Sequence, residues 1–166
     1  MLRIAGIVRE SIVDGPGIRM VVFTQGCNHN CKGCHNPETH DFSGGKEVSC
    51  EEVIRQMDSN PLLDGITFSG GDPFEQADVL AEIAVIAKSR GLNVMTYTGY
   101  TYERLIAGIP ERKGWAELLK LTDILVDGPF KIEQKNMLLK FKGSENQRII
   151  DLEKTRQKNE IVLADI

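Results

Sequence analysis

The sequence contains no long apolar segment and no surplus of basic residues. No stretch of its 166 residues approaches the roughly 20 apolar residues that a membrane-spanning helix needs. Residues 1–17 carry charges where a signal peptide requires an apolar run. The 20 Lys and Arg are outnumbered by 24 Asp and Glu, so no broad excess of cations can neutralise phosphates. These absences argue against membrane insertion, secretion and nonspecific nucleic-acid binding, and they predict a cytoplasmic protein.

Cysteine is scarce, but three of the four cysteines stand together. Cys27, Cys31 and Cys34 form a C-x3-C-x2-C run, which fits metal binding better than a secreted disulfide framework. Three thiolates on one loop can hold a four-iron, four-sulfur cluster by three irons and leave the fourth iron open. A Cys3His zinc site that includes His29 or His35 is the alternative that this loop leaves open.

Apolar runs and helical patterns alternate along the chain. The predicted strands are residues 20–24, 65–68, 93–97 and 123–126, and residues 147–152 and 160–163 are further candidates. The first predicted helix starts at a capping box over 49–52 and ends near 60–61. Further predicted helices cover the region around 79–87 and two short pieces of 102–121. This alternation is typical of βαβ units and a parallel sheet. A closed eight-stranded barrel needs about 250 residues, so the chain can form only a partial, open β/α barrel or a doubly wound sheet.

Three loops that follow predicted strands carry the chemistry. They are CNHNCKGC, SGGDP and the Asp127-Gly-Pro turn, and a parallel sheet would bring them to one rim. Gly70 and Gly71 allow the backbone to approach a ligand closely, and Asp72 adds an acceptor for an ammonium group. A ligand with an α-amino acid end would fit beside an open iron. Taken alone, SGGDP is more typical of a tight turn than of a cofactor loop.

Other residues are predicted to have structural roles. Cys50, at the first turn of a helix, is most simply a small, partly buried side chain. His29 and His40 are expected to be solvated loop residues, and Trp115 to pack in the core. The basic segment 131–142 is expected to be a solvated face.

These residues resemble the radical S-adenosylmethionine enzymes, in which a CxxxCxxC loop after the first core strand precedes a GGDP loop after the next. Further segments are similar to the activating proteins of anaerobic ribonucleoside-triphosphate reductase. They are DGPGIR (14–19), GCNHNCKGCHNPET (26–39), FSGGDPFEQ (68–76), YTGYTYE (97–103), ILVDGPF (124–130) and KGSENQRIID (142–151). The resemblance extends over nearly the whole chain. It implies a single domain over 1–166, folded as a partial (open) β/α barrel with a mainly parallel sheet, the segment 131–166 being weakly patterned.

The resemblance also assigns the cofactor site. It implies that Cys27, Cys31 and Cys34 hold a 4Fe-4S cluster, and that S-adenosyl-L-methionine binds the open iron through its methionine amino and carboxylate groups. The Gly-Gly-Asp loop at 70–72 would hold the amino group.

The resemblance also concerns residues that follow later strands, and this sequence differs from the family pattern at two positions. Thr98 and Asp127 are candidates to contact the ribose or methionine carboxylate region. Gly33 stands where many relatives have an aromatic residue against the adenine, so His35 is the candidate for that flat surface. His40 stands where tryptophan is common.

The implied reaction is reductive cleavage of S-adenosylmethionine, followed by hydrogen abstraction from a glycine of the anaerobic reductase, which then stores a glycyl radical. A one-electron donor such as flavodoxin is implied, and association as a homodimer is compatible with the resemblance. The reaction needs no acid or base, and the sequence contains no recognisable catalytic dyad. An open barrel would admit a glycine-bearing loop from a folded partner.

Several alternatives stay open on the sequence. The protein partner could be another glycyl-radical enzyme such as pyruvate formate-lyase, because the DGPGIR element is shared with its activases. A compact ring-modifying enzyme such as a deazaguanine synthase is a further enzymatic alternative. Outside enzymes, a zinc-stabilised binding module or a simple electron carrier would also use the cysteine loop.

Overall fold

The computed structural model describes residues 1–29, 31–34 and 37–166, and within them seven strands form one sheet. The strands are β1 Leu2–Ser11, β2 Arg19–Thr24, β3 Lys46–Val48, β4 Gly65–Gly70, β5 Asn93–Tyr97, β6 Ile124–Asp127 and β7 Arg148–Asp151. Their order across the sheet is β3-β1-β2-β4-β5-β6-β7. The four central strands β2, β4, β5 and β6 run parallel. The flanking strands pair antiparallel with their neighbours.

The helices follow the strands as βαβ units require. They are α1 Cys50–Asp58, α2 Ala77–Ser89, α3 Tyr102–Gly108, α4 Trp115–Leu121 and α5 Leu152–Lys158. The Ser49 side chain accepts a hydrogen bond from the backbone N–H of Glu52 at 3.1 Å, which confirms the predicted start of α1. After α2, Gly91 adopts φ +77°, and the backbone N–H of Leu92 returns to the carbonyl of Ala87 at 3.0 Å.

The helices pack on one face of the sheet. Alternate residues of the central strands, such as Val22, Phe68 and Leu125, share a core with side chains of α1 to α5. The other residues of the same strands face the opposite side, where Met95 and Val126 pack together. Residues 131–147, here called the covering loop, approach this second face through Phe141.

Most elements agree with the sequence-based predictions, and the differences have physical causes. β1 was not predicted because two register irregularities break its alternation, and β3 is a three-residue edge strand. Helix α5 was missed because its buried residues are only Leu152 and Thr155. The strand predicted over 160–163 is wrong, since Leu163 makes only an isolated bridge to Ile150.

The predicted α/β class with a parallel centre is confirmed, as a single open sheet. The sheet is less parallel than predicted, because the strands at both flanks are antiparallel. The curvature of a partial barrel, and the extent of a single domain over 1–166, stay predictions. No helix of the described residues is both long and apolar enough to cross a membrane.

Candidate functional site

The loops after the central parallel strands surround a cavity of about 380 Å³. Its wall comes from six parts of the chain, of which four follow β2, β4, β5 and β6 directly. The lining residues are Val13 and Asp14; Cys27, His29, Cys31, Cys34 and His40; Ser69, Gly70 and Gly71; Tyr97, Thr98 and Gly99; Gly128 and Phe130; and Leu139, Phe141, Lys142, Gly143 and Gln147. The predicted meeting of three loops at one rim is therefore confirmed, at the edge where open α/β sheets bind ligands.

Three free thiols lie in the wall of this cavity. Cys27, Cys31 and Cys34 are each partly buried. Burial raises the pKa of the Cys27 thiol to about 11, against a smaller lowering by a hydrogen bond from the His29 backbone. Burial also raises the pKa of the Cys31 thiol, with a smaller opposite effect from the Phe130 backbone. Cys27 and Cys31 without a metal therefore hold their protons at neutral pH, and binding of a metal would release them.

The donor set fits an iron–sulfur cluster. Each thiolate of such a cluster binds a different iron, so the three sulfurs need to face one cavity rather than one point. Within the described part of the chain, no group of three His, Cys, Asp or Glu is arranged to hold a single ion. Cys50, as predicted, lies elsewhere, on α1, where its Sγ is 3.5 Å from a carboxylate oxygen of Glu82.

The glycines at 70 and 71 bring the loop after β4 against the cysteine loop. A Cβ at Gly70 would lie 2.5 Å from the backbone nitrogen of Thr24, and one at Gly71 would lie 2.5 Å from the carbonyl oxygen of Gly26. The backbone N–H of Asp72 donates to that same Gly26 oxygen at 2.8 Å. The two glycines are thus required by the crossing of two backbones, and both also line the cavity.

Asp72 is buried behind the cavity wall. Its side chain is 0% exposed and accepts hydrogen bonds from the backbone N–H groups of Phe74 and Gly99, both at 3.0 Å. The Thr98 hydroxyl lies 3.0 Å from both carboxylate oxygens. The ring nitrogen Nε2 of His29 lies 2.5 Å from Oδ2. The carboxylate predicted to accept a ligand's ammonium group already has donors on both oxygens.

His29 was expected to be solvated, and this expectation is wrong. Its side chain is 15% exposed, and its ring meets the edge of the Tyr100 ring with centroids 4.4 Å apart. Burial lowers its pKa, but the hydrogen bond and charge of Asp72 and the charge of Glu75 outweigh that effect, so the pKa is raised overall. A histidine between two candidate ligands, with an aspartate in the facing loop, was the sequence signal for this contact.

The other predicted site residues divide between the cavity and the interior. Thr98 lines the cavity. Asp127 is 1% exposed and accepts hydrogen bonds from the Tyr102 backbone at 2.7 Å and from Arg148 at 3.0 Å and 2.5 Å. Gly128, the next residue, reaches the cavity instead.

The end of the cysteine loop contacts the covering loop. A Cβ at Gly33 would lie 2.5 Å from Cδ1 of Ile132, so Ile132 occupies the space that a side chain at 33 would need. His35 lies outside the described residues. His40, which was also expected to be solvated, has Nε2 3.4 Å from the Cys34 sulfur.

The covering loop is exposed at Lys131, Lys135 and Lys140, as its lysines predicted, but part of it also faces the cavity. Leu139, Phe141 and Lys142 line the cavity, and the Tyr97 hydroxyl donates to the backbone carbonyl of Phe141 at 2.6 Å. Composition did not predict that this segment lines a cavity, because four lysines make residues 131–142 polar. The resemblance of residues 142–151 to activating proteins was the sequence signal that this part of the chain belongs to the site.

The remaining wall comes from Val13 and from Asp14, the first residue of the DGPGIR segment. Arg19 is fully buried, and its guanidinium donates to the Thr67 hydroxyl at 2.8 Å, the Pro16 carbonyl at 2.9 Å and the Asn93 side chain at 2.8 Å. Burial lowers the pKa of Arg19 to about 10, with smaller opposite effects from Tyr97 and acidic neighbours. Arg19 therefore ties the segment to the parallel strands.

Comparison with known sequences agrees with the cysteine chemistry. A family profile described as a 4Fe-4S single cluster domain matches residues 13–150. The pyruvate formate-lyase-activating enzyme of Clostridium pasteurianum is 39% identical over 132 residues, which are 76% of this chain and 51% of that protein. The chain therefore spans about half the length of that relative.

Two further relatives match over most of both chains. The anaerobic ribonucleoside-triphosphate reductase-activating protein of Vibrio cholerae is 34% identical over 146 residues, 83% of this chain and 90% of that protein. The protein of the same name from Escherichia coli K12 is 31% identical over 144 residues, 82% of this chain and 90% of that protein.

Proposed function

The chain belongs to the single-cluster 4Fe-4S family and, within it, to the anaerobic ribonucleoside-triphosphate reductase-activating proteins, and we propose that it is an activase of such a reductase. The observation that carries this proposal is the cavity in which three free cysteines face the Gly70-Gly71 loop. When bound, a cluster with one iron free of protein ligands supplies the electron that cleaves S-adenosylmethionine to methionine and a 5′-deoxyadenosyl radical. A one-electron donor such as flavodoxin belongs to the same proposal.

The residues take distinct roles in this proposal. Cys27, Cys31 and Cys34 are the cluster ligands. The backbone of Gly70 and Gly71 faces the amino acid end of S-adenosylmethionine, since both residues line the cavity. A cofactor of this size needs a cavity of several hundred Å³, and about 380 Å³ is available beside the thiols.

Three other residues have proposed roles next to the cysteines and the Gly70-Gly71 backbone. Thr98 lines the cavity and is the candidate to contact the ribose or the methionine carboxylate. Asp72 and Asp127 are buried, and we assign them to holding the loops in place. An adenine contact by His35 stays a prediction.

The form of the sheet supports a protein substrate. Helices α1 to α5 pack on one face, while the cavity opens beside the covering loop on the other. We propose that this open sheet is a partial β/α barrel whose helix-free side admits a glycine-bearing loop of the reductase. A homodimer stays a prediction.

One anaerobic experiment tests the function. The purified chain, reconstituted with iron and sulfide, is incubated with reductant, S-adenosylmethionine and the anaerobic reductase. We expect about four irons per chain, 5′-deoxyadenosine as product and a glycyl-radical doublet by electron paramagnetic resonance. A colourless protein with one tightly bound zinc, or cofactor cleavage that never yields the doublet, would contradict the proposal.

Two cysteine variants provide the matched control. Cys34→Ser removes a thiol that lines the cavity, whereas Cys50→Ser removes one on α1. Cys34→Ser should lose the cluster and all cleavage, and Cys50→Ser should keep both. Equal loss in the two variants would mean that the cavity is not the cluster site.

Pyruvate formate-lyase is the second candidate partner, favoured by the 39% identity to its activating enzyme. The reductase is favoured by the matches to its activating proteins from Vibrio cholerae and Escherichia coli, which cover 90% of each of those proteins. Presenting both partners to one preparation, in equal amounts, decides between them by which one acquires the radical.

A further inference from the structure

A buried polar cluster ties the cysteine loop to two other loops of the site. It consists of His29, Asp72, Thr98 and the backbone of Gly99. We infer that His29 is a positioning residue that fixes the direction of the Cys27 and Cys31 thiols by anchoring their loop on Asp72. This inference rests on the proposed cluster site, and it concerns how the chain holds the ligands rather than which residues are ligands.

The anchor is a hydrogen bond to a carboxylate that cannot reach water. Asp72 is 0% exposed, and its Oδ2 lies 2.5 Å from Nε2 of His29. An ionised carboxylate only accepts hydrogen bonds, so Nε2 carries the proton. The same oxygen accepts from the Gly99 backbone, and Thr98 donates to the carboxylate as well. Loss of the His29 donor would leave a buried charge with fewer partners, which is costly in an apolar interior.

Packing holds the His29 ring on this anchor. The Tyr100 ring meets it edge to face at 4.4 Å, and a Cβ at residue 99 would lie 2.5 Å from Cδ2 of His29. Tyr100 is itself held by Glu75, to which its hydroxyl donates at 2.5 Å. The ring is therefore packed between Tyr100 and the backbone of Gly99, and a side chain at 99 would displace it.

The same residue reaches the metal ligands through its backbone. His29 lies two residues from Cys27 and two from Cys31. Its backbone also makes a hydrogen bond to the Cys27 sulfur. Hydrogen bonds to ligand sulfurs set the reduction potential of iron–sulfur clusters, and partners that orient a ligand commonly change metal affinity 10–100-fold. Movement of the His29 ring would move both the Cys27 hydrogen bond and the loop that carries the two thiols.

Two substitutions separate the hydrogen bond from the packing. His29→Gln retains an amide N–H that can donate to Asp72, whereas His29→Phe retains the ring against Tyr100 and removes the donor. In the reconstituted full-length protein, we expect His29→Phe to release iron to a chelator about tenfold faster than the parent. It should also shift the midpoint potential of the cluster, and His29→Gln should restore both values toward those of the parent.

A second measurement uses the metal-free chain and does not depend on the proposed function. The backbone N–H groups of Gly26 and Asp72 join the cysteine loop to its neighbours at 2.6 Å and 2.8 Å. Their hydrogen exchange should be about tenfold faster in His29→Phe and near the parent rate in His29→Gln. Far-UV circular dichroism shows that both variants are folded.

The outcomes distinguish the two proposals. If the parent protein acquires no cluster, the proposed function fails, and amide exchange alone decides the role of His29. If His29→Phe matches the parent in iron release, potential and exchange, His29 does not position the loop. If the folded His29→Gln behaves like His29→Phe, the hydrogen bond is not the anchor and the inference is wrong.

Discussion

Gly71 lies where the loop after β4 crosses the start of the cysteine loop, and alanine at this position tests how close that crossing is. A Cβ there would lie 2.5 Å from the Gly26 carbonyl oxygen and 2.8 Å from that of Thr39. Both atoms belong to backbone that is joined by a hydrogen bond of 2.6 Å, so neither can move aside as a flexible side chain would. Overpacking of this kind costs about 1–3 kcal/mol in the free energy of unfolding.

Alanine substitutions at three other glycines give expected losses of stability with which Gly71→Ala can be compared. A Cβ at Gly6 would meet no atom within 4 Å, and the backbone there is not left-handed, so Gly6→Ala should change stability by less than about 0.5 kcal/mol. Gly91 has open space but φ +77°, and alanine there should cost about 1–2 kcal/mol. Gly70 combines φ +99° with a contact of 2.5 Å to backbone. Gly70→Ala should therefore cost roughly 2–5 kcal/mol, the sum of overpacking and conformational strain.

The assay is urea unfolding of the metal-free chain under reducing, anaerobic conditions, followed by iron uptake of each variant. A loss of 1 kcal/mol corresponds to about 2–4 °C in Tm for a chain of this size. Gly91→Ala and Gly71→Ala overlap in their expected global cost, but only Gly71→Ala should impair iron uptake, because residue 91 is outside the site. The reasoning is refuted if Gly71→Ala unfolds at the same urea concentration as Gly6→Ala.

Three further substitutions test the contacts that hold the loops. Arg148→Ala leaves the buried Asp127 without its cation and should cost about 2–3 kcal/mol by urea unfolding, less than a fully buried pair because Arg148 is 31% exposed. Arg19→Lys replaces a guanidinium that donates to acceptors from several segments. A lysine cannot reach all of them, so the same assay should show a loss of roughly 2–4 kcal/mol. Tyr97→Phe removes the hydroxyl that donates to the Phe141 carbonyl. It should cost about 1 kcal/mol and speed hydrogen exchange within residues 131–147.

Each of these substitutions has a control or a contradicting result. Arg90→Ala removes an exposed ion pair with Asp58 and should leave the unfolding midpoint unchanged, so an equal effect of Arg148→Ala would contradict the burial argument. An unchanged unfolding midpoint in Arg19→Lys would mean that the several N–H donors of the guanidinium do not contribute to stability. Unchanged exchange over 131–147 in Tyr97→Phe would mean that the hydroxyl does not hold the covering loop.

The sequence was sufficient to predict which segments meet, because strand patterns and loop positions are local properties. The runs around Val22, Phe68 and Leu125 are apolar and short, each precedes a loop with unusual residues, and parallel pairing brings those loops to one edge. Elements with broken or sparse patterns were missed. β1 contains two irregularities of register, and the covering loop has the composition of a solvent-exposed surface.

Side-chain direction was harder to predict, because it depends on contacts with residues that are distant in the sequence. His29 was expected to be solvated, yet the carboxylate 43 residues further along the sequence determines its position. Gly33 similarly lacks a side chain where Ile132, on the covering loop, occupies the space. Periodicity within a single element contains no information about either contact.

Asp72, in the loop after β4, and Asp127, the last residue of β6, show the same effect. Both were predicted to face a ligand, and both are buried. Each accepts a backbone N–H from the segment after β5: Asp72 from Gly99 at 3.0 Å, and Asp127 from Tyr102, the first residue of α3, at 2.7 Å. The residues between β5 and α3 are therefore held near both of their ends by a carboxylate. Since Thr98 reaches the cavity from this segment, a change at either aspartate would alter the site by moving the segment.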